Sequence, residues 1–197
     1  MPVAIVGVGA VLPDAPDAPT FWSNLQEGRY SISDTPVRWD ASLYYDPDPK
    51  APDKTYSKIG GWVREFTWDP MGWRMPIPPK VGDVMDPAQK WAVVASREAL
   101  MDYGYPDRPL NRDRTAVILG NALGGDFHLF SAARILFPEI EEELKEAPSF
   151  QALAPEVRGA VLEELLAGVR GRIPDITEDT MPGELGNIVA GRVSALF

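Results

Sequence analysis

The residues able to carry covalent or acid–base chemistry are few in this sequence. Among its 197 residues there is no cysteine and a single histidine, His128. A thiolate nucleophile, a disulfide and a thiolate metal site are therefore all absent from these residues. One imidazole cannot supply both a histidine-based triad and a multi-histidine metal centre. The serines have no G-x-S-x-G elbow around them and no histidine at a recognisable spacing. Carboxylates abound, but acid–base work needs two of them in one cleft, which distance along the chain does not establish. The run Glu139, Glu141, Glu142 and Glu143 reads as a solvated helix face, because no partner ligands cluster near it. Gly7-Val8-Gly9 begins like a dinucleotide-binding turn. Leu12 then stands where the third glycine belongs, and Pro13, Asp14 and Pro16 follow where the phosphate-binding helix should start. The catalytic set and the metal set read from these residues are both empty.

Composition narrows the class. The balance of 29 acidic against 19 basic residues gives a formal charge of -10, which repels nucleic-acid phosphates and anionic lipid head groups. An apolar share of 45% with 24% charged residues suits a globular domain, and the length suits one. No run approaches the roughly 18 uninterrupted apolar residues of a spanning helix, and no basic segment precedes Val3-Ala4-Ile5-Val6. The expectation is a cytoplasmic protein that binds neither nucleic acid nor membrane.

The elements that would position any site follow from periodicity. Val3–Gly7 and Thr115–Gly120 are short, β-branched runs that predict strands buried on both faces of a layered α/β fold. A helix is predicted over Pro19–Gln26, capped by Asp17 and stopped by Gly28, with Phe21, Trp22 and Leu25 as its packing face. From Tyr30 to Pro79 the chain is rich in proline and aromatics. Trp39, Tyr44, Tyr45 and Trp62 predict an ordered loop clamped by its rings rather than a linker. Asp86-Pro87-Ala88-Gln89 predicts a helix start, with Asp86 as cap and Gln89 reaching back, and Gly104 ends that helix. Further helices are predicted over Phe130–Glu146, Pro155–Val169 and Pro182–Phe197. The last of these is lined with small residues suited to close packing.

Several separated segments, in this order, resemble the ketosynthase domains of modular megasynthases. They are Val3–Pro13, Thr20–Leu25 with Gly28-Arg29, and Pro36-Val37-Arg38-Trp39-Asp40. Next come Tyr44–Pro49, Lys54–Lys58 and Gly60-Gly61-Trp62, and then Asp86-Pro87-Ala88-Gln89. Gly120-Asn121-Ala122-Leu123-Gly124-Gly125 and Met181–Ser194 complete the set. The sequence is similar throughout to the N-terminal part of a β-ketoacyl synthase of the type I polyketide or polyunsaturated fatty acid synthase kind. The likeness is weakest at about residues 128–174, which read as a family-variable insertion.

That resemblance implies a thiolase-like α/β fold, of which this chain is the N-terminal part only, layered and with long aromatic- and proline-rich loops. It implies an acyltransferase, a 3-oxoacyl-[acyl-carrier-protein] synthase, as the parent domain. The reaction would be a decarboxylative Claisen condensation of an acyl thioester with a malonyl-type extender. The family's cysteine and two histidines would lie beyond Phe197, so the segment is expected to be inactive alone, and His128 matches neither histidine. Leu123, Thr180 and Met181 fall where the family lines or gates its acyl chain. The implied partners are the remainder of the domain, an acyl carrier protein and a second copy in a homodimer. No cofactor is expected to bind directly, since phosphopantetheine arrives on the carrier. The rival expectation is a non-catalytic module, ketosynthase-like in shape, that binds a true ketosynthase or a carrier protein.

Overall fold

The computed structural model describes residues 2–35, 39–122, 125–172, 175–178 and 180–197. The chain forms two compact units, one of Met1–Asp69 with Val93–Thr115 and the other of Pro70–Ala92 with Ala116–Phe197.

In the first unit helix α1, Ala18–Gln26, starts where Asp17 accepts the Thr20 amide at 2.7 Å. The Thr20 side chain first, and then that amide bond, hold the Asp17 carboxyl below its ordinary range. Gly28, at φ +67°, closes the helix in the left-handed region. The predicted packing face is not buried, however: Phe21, Trp22 and Leu25 are 39%, 62% and 55% exposed. The inward residue is Asn24, whose side-chain amide donates to the Asp14 carbonyl at 2.9 Å. The aromatic loop folds as a small antiparallel ladder, β1 (Ile32–Asp34) with β2 (Ile59–Gly61), around a single-turn helix α2 (Ala41–Tyr44). Its rings do clamp it. Trp39 stacks on Tyr44 at 5.6 Å between centroids, and the Trp62 indole N–H donates to the Ser33 carbonyl at 3.1 Å.

The run Val3–Gly7 departs from expectation. It is extended, but it pairs with no strand among the described residues, and Val3 and Ile5 are 94% and 85% exposed. The residues just after it run along a helix, α4 (Pro87–Tyr103), which begins in the second unit and ends in the first. The Val8 amide donates to an Asp102 carboxylate oxygen at 2.8 Å, and the Ala10 amide donates to Glu98. Gly7 and Gly9 make this approach possible. A Cβ at either would lie 2.2 or 2.1 Å from the Ala99 or Ala95 carbonyl oxygen. Their shared spacing serves backbone-to-helix contact rather than a phosphate turn. Thr115–Gly120 is likewise unpaired among the described residues, with Ile118 90% exposed. Strand propensity expresses itself only where a partner edge is supplied.

The second unit is helical. Short α3 (Pro79–Asp83) precedes the first turns of α4, and α5 (Asp126–Glu146) packs against α6 (Pro148–Gln151), α7 (Pro155–Arg170) and α8 (Met181–Glu184). Helix α5 starts four residues before the predicted Phe130 and runs unbroken through Pro138. Lys145 bridges Glu141 and Glu142 at 2.7 and 2.9 Å, which places the acidic run on a solvated face. Met85, Phe137, Phe150, Val189 and Val193 are buried in this unit. The predicted final helix is in fact two, α8 and α9 (Ile188–Leu196), separated at Leu185–Asn187.

Candidate functional site

The start of α4 ties three parts of the second unit together. Asp86 is 1% exposed, and one of its carboxylate oxygens caps the helix by accepting the Ala88 amide at 2.8 Å. The other accepts the Phe127 amide at 3.0 Å, from the first turn of α5. Gly125 makes room for that carboxylate. Its φ is +100°, and a Cβ there would lie 2.3 Å from the nearer Asp86 oxygen. The amide of Asp86 itself donates to the Gly183 carbonyl at 2.9 Å.

Gln89 does not reach back to cap the helix. Its side-chain amide instead donates to the Pro182 and Leu185 carbonyls at 2.9 and 3.3 Å. Arg192, from α9, also donates to the Pro182 carbonyl, at 3.4 Å. Burial lowers the Arg192 guanidinium pKa from its usual value, because the charged form loses water. Gly183 completes the junction: a Cβ there would lie 2.1 Å from the Val84 carbonyl oxygen. These contacts fix the chain on either side of the break at Leu185–Asn187, where the Leu185 carbonyl accepts both Gln89 and the Ile188 amide, the latter at 3.2 Å.

The break opens a cleft of about 390 Å³. Leu119 and Asn121 form one wall, His128 another, and Glu184–Asn187 a third. Glu184 is 5% exposed, and among the described residues its carboxylate makes no hydrogen bond or ion pair. Leu119, Asn121, His128 and Asn187 are exposed. Four of the seven lining residues therefore bear polar side chains, one of them a buried acid. Among the described residues no three of His, Asp and Glu converge as a metal site. No helix of the described residues is long and apolar enough to cross a membrane.

Of the residues singled out from the sequence, Leu123 lies outside the described residues. Thr180 and Met181 are half-buried at the start of α8 and do not line the cleft. The Thr180 hydroxyl accepts the Thr177 amide at 2.7 Å and lies 3.2 Å from the Asp175 and Thr177 carbonyls. Its polarity is thus satisfied inside its own turn. The structure brings Asn121 together with Glu184–Asn187, none of which was expected in the pocket wall. Glu184 was not singled out, although one acid among the small and apolar residues of Pro182–Ala190 was a visible signal. His128 is exposed and borders the cleft.

The first unit has a cleft of about 420 Å³, lined by Val8, Arg97 and Met101, by the Asp17–Pro19 turn, and by the acids Glu98 and Asp102. Two of its acids hold backbone amides of the N-terminal segment, so they are structural.

Comparison with known proteins gives a family. The family model described as "Beta-ketoacyl synthase, N-terminal domain" matches residues 1–197. The chain is 37% identical over 124 residues to the polyketide synthase PksL of Bacillus subtilis (strain 168), covering 62% of this chain and 3% of that protein. It is 40% identical over 124 residues to a phenolphthiocerol/phthiocerol polyketide synthase of Mycobacterium tuberculosis (strain CDC 1551 / Oshkosh), covering 60% of this chain and 8% of that one. Among solved structures, an oxazolomycin ketosynthase domain of Streptomyces albus JA3453 matches with 40% identity and a TM-score of 0.43, over 50% of this chain and 17% of that one. The chain spans less than a tenth of the length of these two curated relatives.

Proposed function

The chain belongs to the β-ketoacyl synthase family, as its N-terminal domain with a thiolase-like α/β fold, and from that premise we propose that it forms part of a ketosynthase performing decarboxylative Claisen condensation. An acyl thioester would be joined to a malonyl-type extender delivered on an acyl carrier protein. The family match over residues 1–197 is the observation that carries this reading. Since none of these residues is a cysteine, the acyl-accepting thiol would come from a further stretch of polypeptide. The role of this segment would be to provide scaffold, dimer surface and part of an acyl-pocket wall through Leu123, Thr180 and Met181. The stretch at about 128–174 would be an insertion that varies between family members, and the working enzyme a cytoplasmic homodimer. Phosphopantetheine would enter as part of the carrier, with no cofactor resident in this chain.

The test is acyl loading of the enzyme that carries this chain. Incubated with short acyl N-acetylcysteamine thioesters, it should gain the mass of one acyl group per active site and release a condensed product when malonyl carrier protein is added. No adduct and no product would favour a non-catalytic assembly module. Replacing Leu123 with tryptophan should shorten the longest acyl chain accepted, and an unchanged length preference would remove Leu123 from the pocket wall.

A further inference from the structure

Helix α5 carries apolar residues on more than its packed side. Phe137 is buried, and Phe130, Arg134 and Leu144 are half-buried at matching helical spacing, where the helix meets its neighbours in the unit. On another side Leu129, Leu136 and Ile140 are 58%, 50% and 54% exposed, with the exposed Ala133 among them. Steps of four, three and four residues align these side chains in one seam, the spacing by which one helix packs along another. Single exposed apolar residues are ordinary, whereas a continuous apolar stripe marks a contact surface.

The charges beside the seam state what suits it. Glu139 follows Leu136 by three residues and Glu143 follows Ile140 by three, so both exposed carboxylates border the seam. Lys145 is bonded to Glu141 and Glu142, which lie off the seam. Glu139 and Glu143 make no ion pair or hydrogen bond among the described residues. Unpaired acids along an apolar stripe select the charge of what packs there more than they add affinity. A second copy of α5 is a poor match. Set parallel, it brings these glutamates onto each other, and set antiparallel, it brings them towards Asp126.

We propose that the exposed seam of α5 docks a basic amphipathic helix of another polypeptide, with apolar residues at heptad spacing and Lys or Arg beside them. Leu129, Leu136 and Ile140 receive the apolar side chains, and Glu139 and Glu143 receive the cations. The seam lies in the stretch read as varying between family members, so family membership does not supply this contact. Nor does the contact depend on the condensation chemistry.

The experiment measures binding of a labelled synthetic helix to the polypeptide that carries this chain, by fluorescence anisotropy. The probe repeats a heptad with leucine at both seam positions and lysine at both flanking positions. One control has glutamate in place of lysine, and the other has the probe's composition in shuffled order. The lysine probe should bind at least about tenfold more tightly than either control. Leu136→Asp should weaken it by at least about tenfold. Glu139→Lys combined with Glu143→Lys, at exposed positions where folding is not at stake, should weaken the lysine probe and strengthen the glutamate one. That exchange of preference decides the matter if Leu136→Asp does not fold. A lysine probe that binds no better than its shuffled form, or whose affinity neither folded variant changes, overturns the proposal. Wild-type oligomers that come apart in Leu136→Asp would put a second copy on the seam and overturn it as well. Acyl loading is not read in this assay, so failure of the ketosynthase reading and failure of the docking site are separate results.

Discussion

Asp86 holds amides from two helices with one carboxylate, and Gly125 is the residue that lets it. Gly125→Ala would drive a methyl group into that carboxylate and strain a φ of +100°. We expect a loss of about 1–3 kcal/mol in stability, seen as a lower denaturation midpoint. Asp86→Ala should cost more, about 1–3 kcal/mol for each of the two amides left without an acceptor. If both variants melt like the wild type, the junction is not a stabilising one. Glu98 titrates in the opposite sense from most surface acids. Burial raises its pKa, offset in part by the Ala10 amide and the nearby Arg97, and the Asp17 charge raises it further. Because the folded pKa exceeds the unfolded one, ionised Glu98 detracts from stability above its folded pKa, and the penalty disappears as pH falls below the ordinary glutamate range. Glu98→Gln, which can still accept from Ala10, should therefore stabilise the protein at neutral pH and not at mildly acidic pH. Equal effects at both pH values would refute this. The capping roles of Asp17 and Asp86 were legible because a cap is a local pattern. The destination of Gln89 was not, because its partners lie 93 and 96 residues away.

At the level of elements, helices were read more truly than strands. A helix satisfies its own backbone, so the starts at Asp17 and Asp86 and the stops at Gly28 and Gly104 could be taken from sequence. Strands depend on another edge, and the apolar runs Val3–Gly7 and Thr115–Gly120 stand without one among the described residues. The first is anchored next to α4 through Val8 and Ala10 instead. Gly9→Val should dislodge that anchor, since its side chain would start 2.1 Å from the Ala95 carbonyl oxygen. Amide exchange at Val8 and Ala10 should then speed up at least about tenfold, while the centre of α4 stays protected. Unchanged exchange would show that the close approach is dispensable. The break at Leu185–Asn187 escaped periodicity for a related reason. Apolar spacing continued through it, and the contacts that hold it come from the distant α4 start.

Across the whole molecule, apolar surface is the dominant unsolved quantity. Val3, Ile5 and Ile118 are 94%, 85% and 90% exposed, on extended backbone that pairs with no strand among the described residues. Such edges attract other chains. Produced as these 197 residues alone, the protein should self-associate and bind a hydrophobic dye. Lysine at both Val3 and Ile5 should raise the soluble fraction severalfold by blunting one edge. A wild-type chain that stays monomeric and dye-silent at high concentration would show those segments to be covered in solution. The family was legible because its motifs are strung along the chain, whereas the division into two units was not, since each is assembled from separated segments. That interleaving sets an order of events during synthesis. The first unit has its last residue at Thr115, but the second cannot close until Pro182 and Leu185 reach Gln89. At roughly 5–20 residues per second, several seconds separate the two moments on the ribosome. During that interval the opening turn of α4 waits for partners not yet made, and a nascent chain paused there is the natural client of a chaperone.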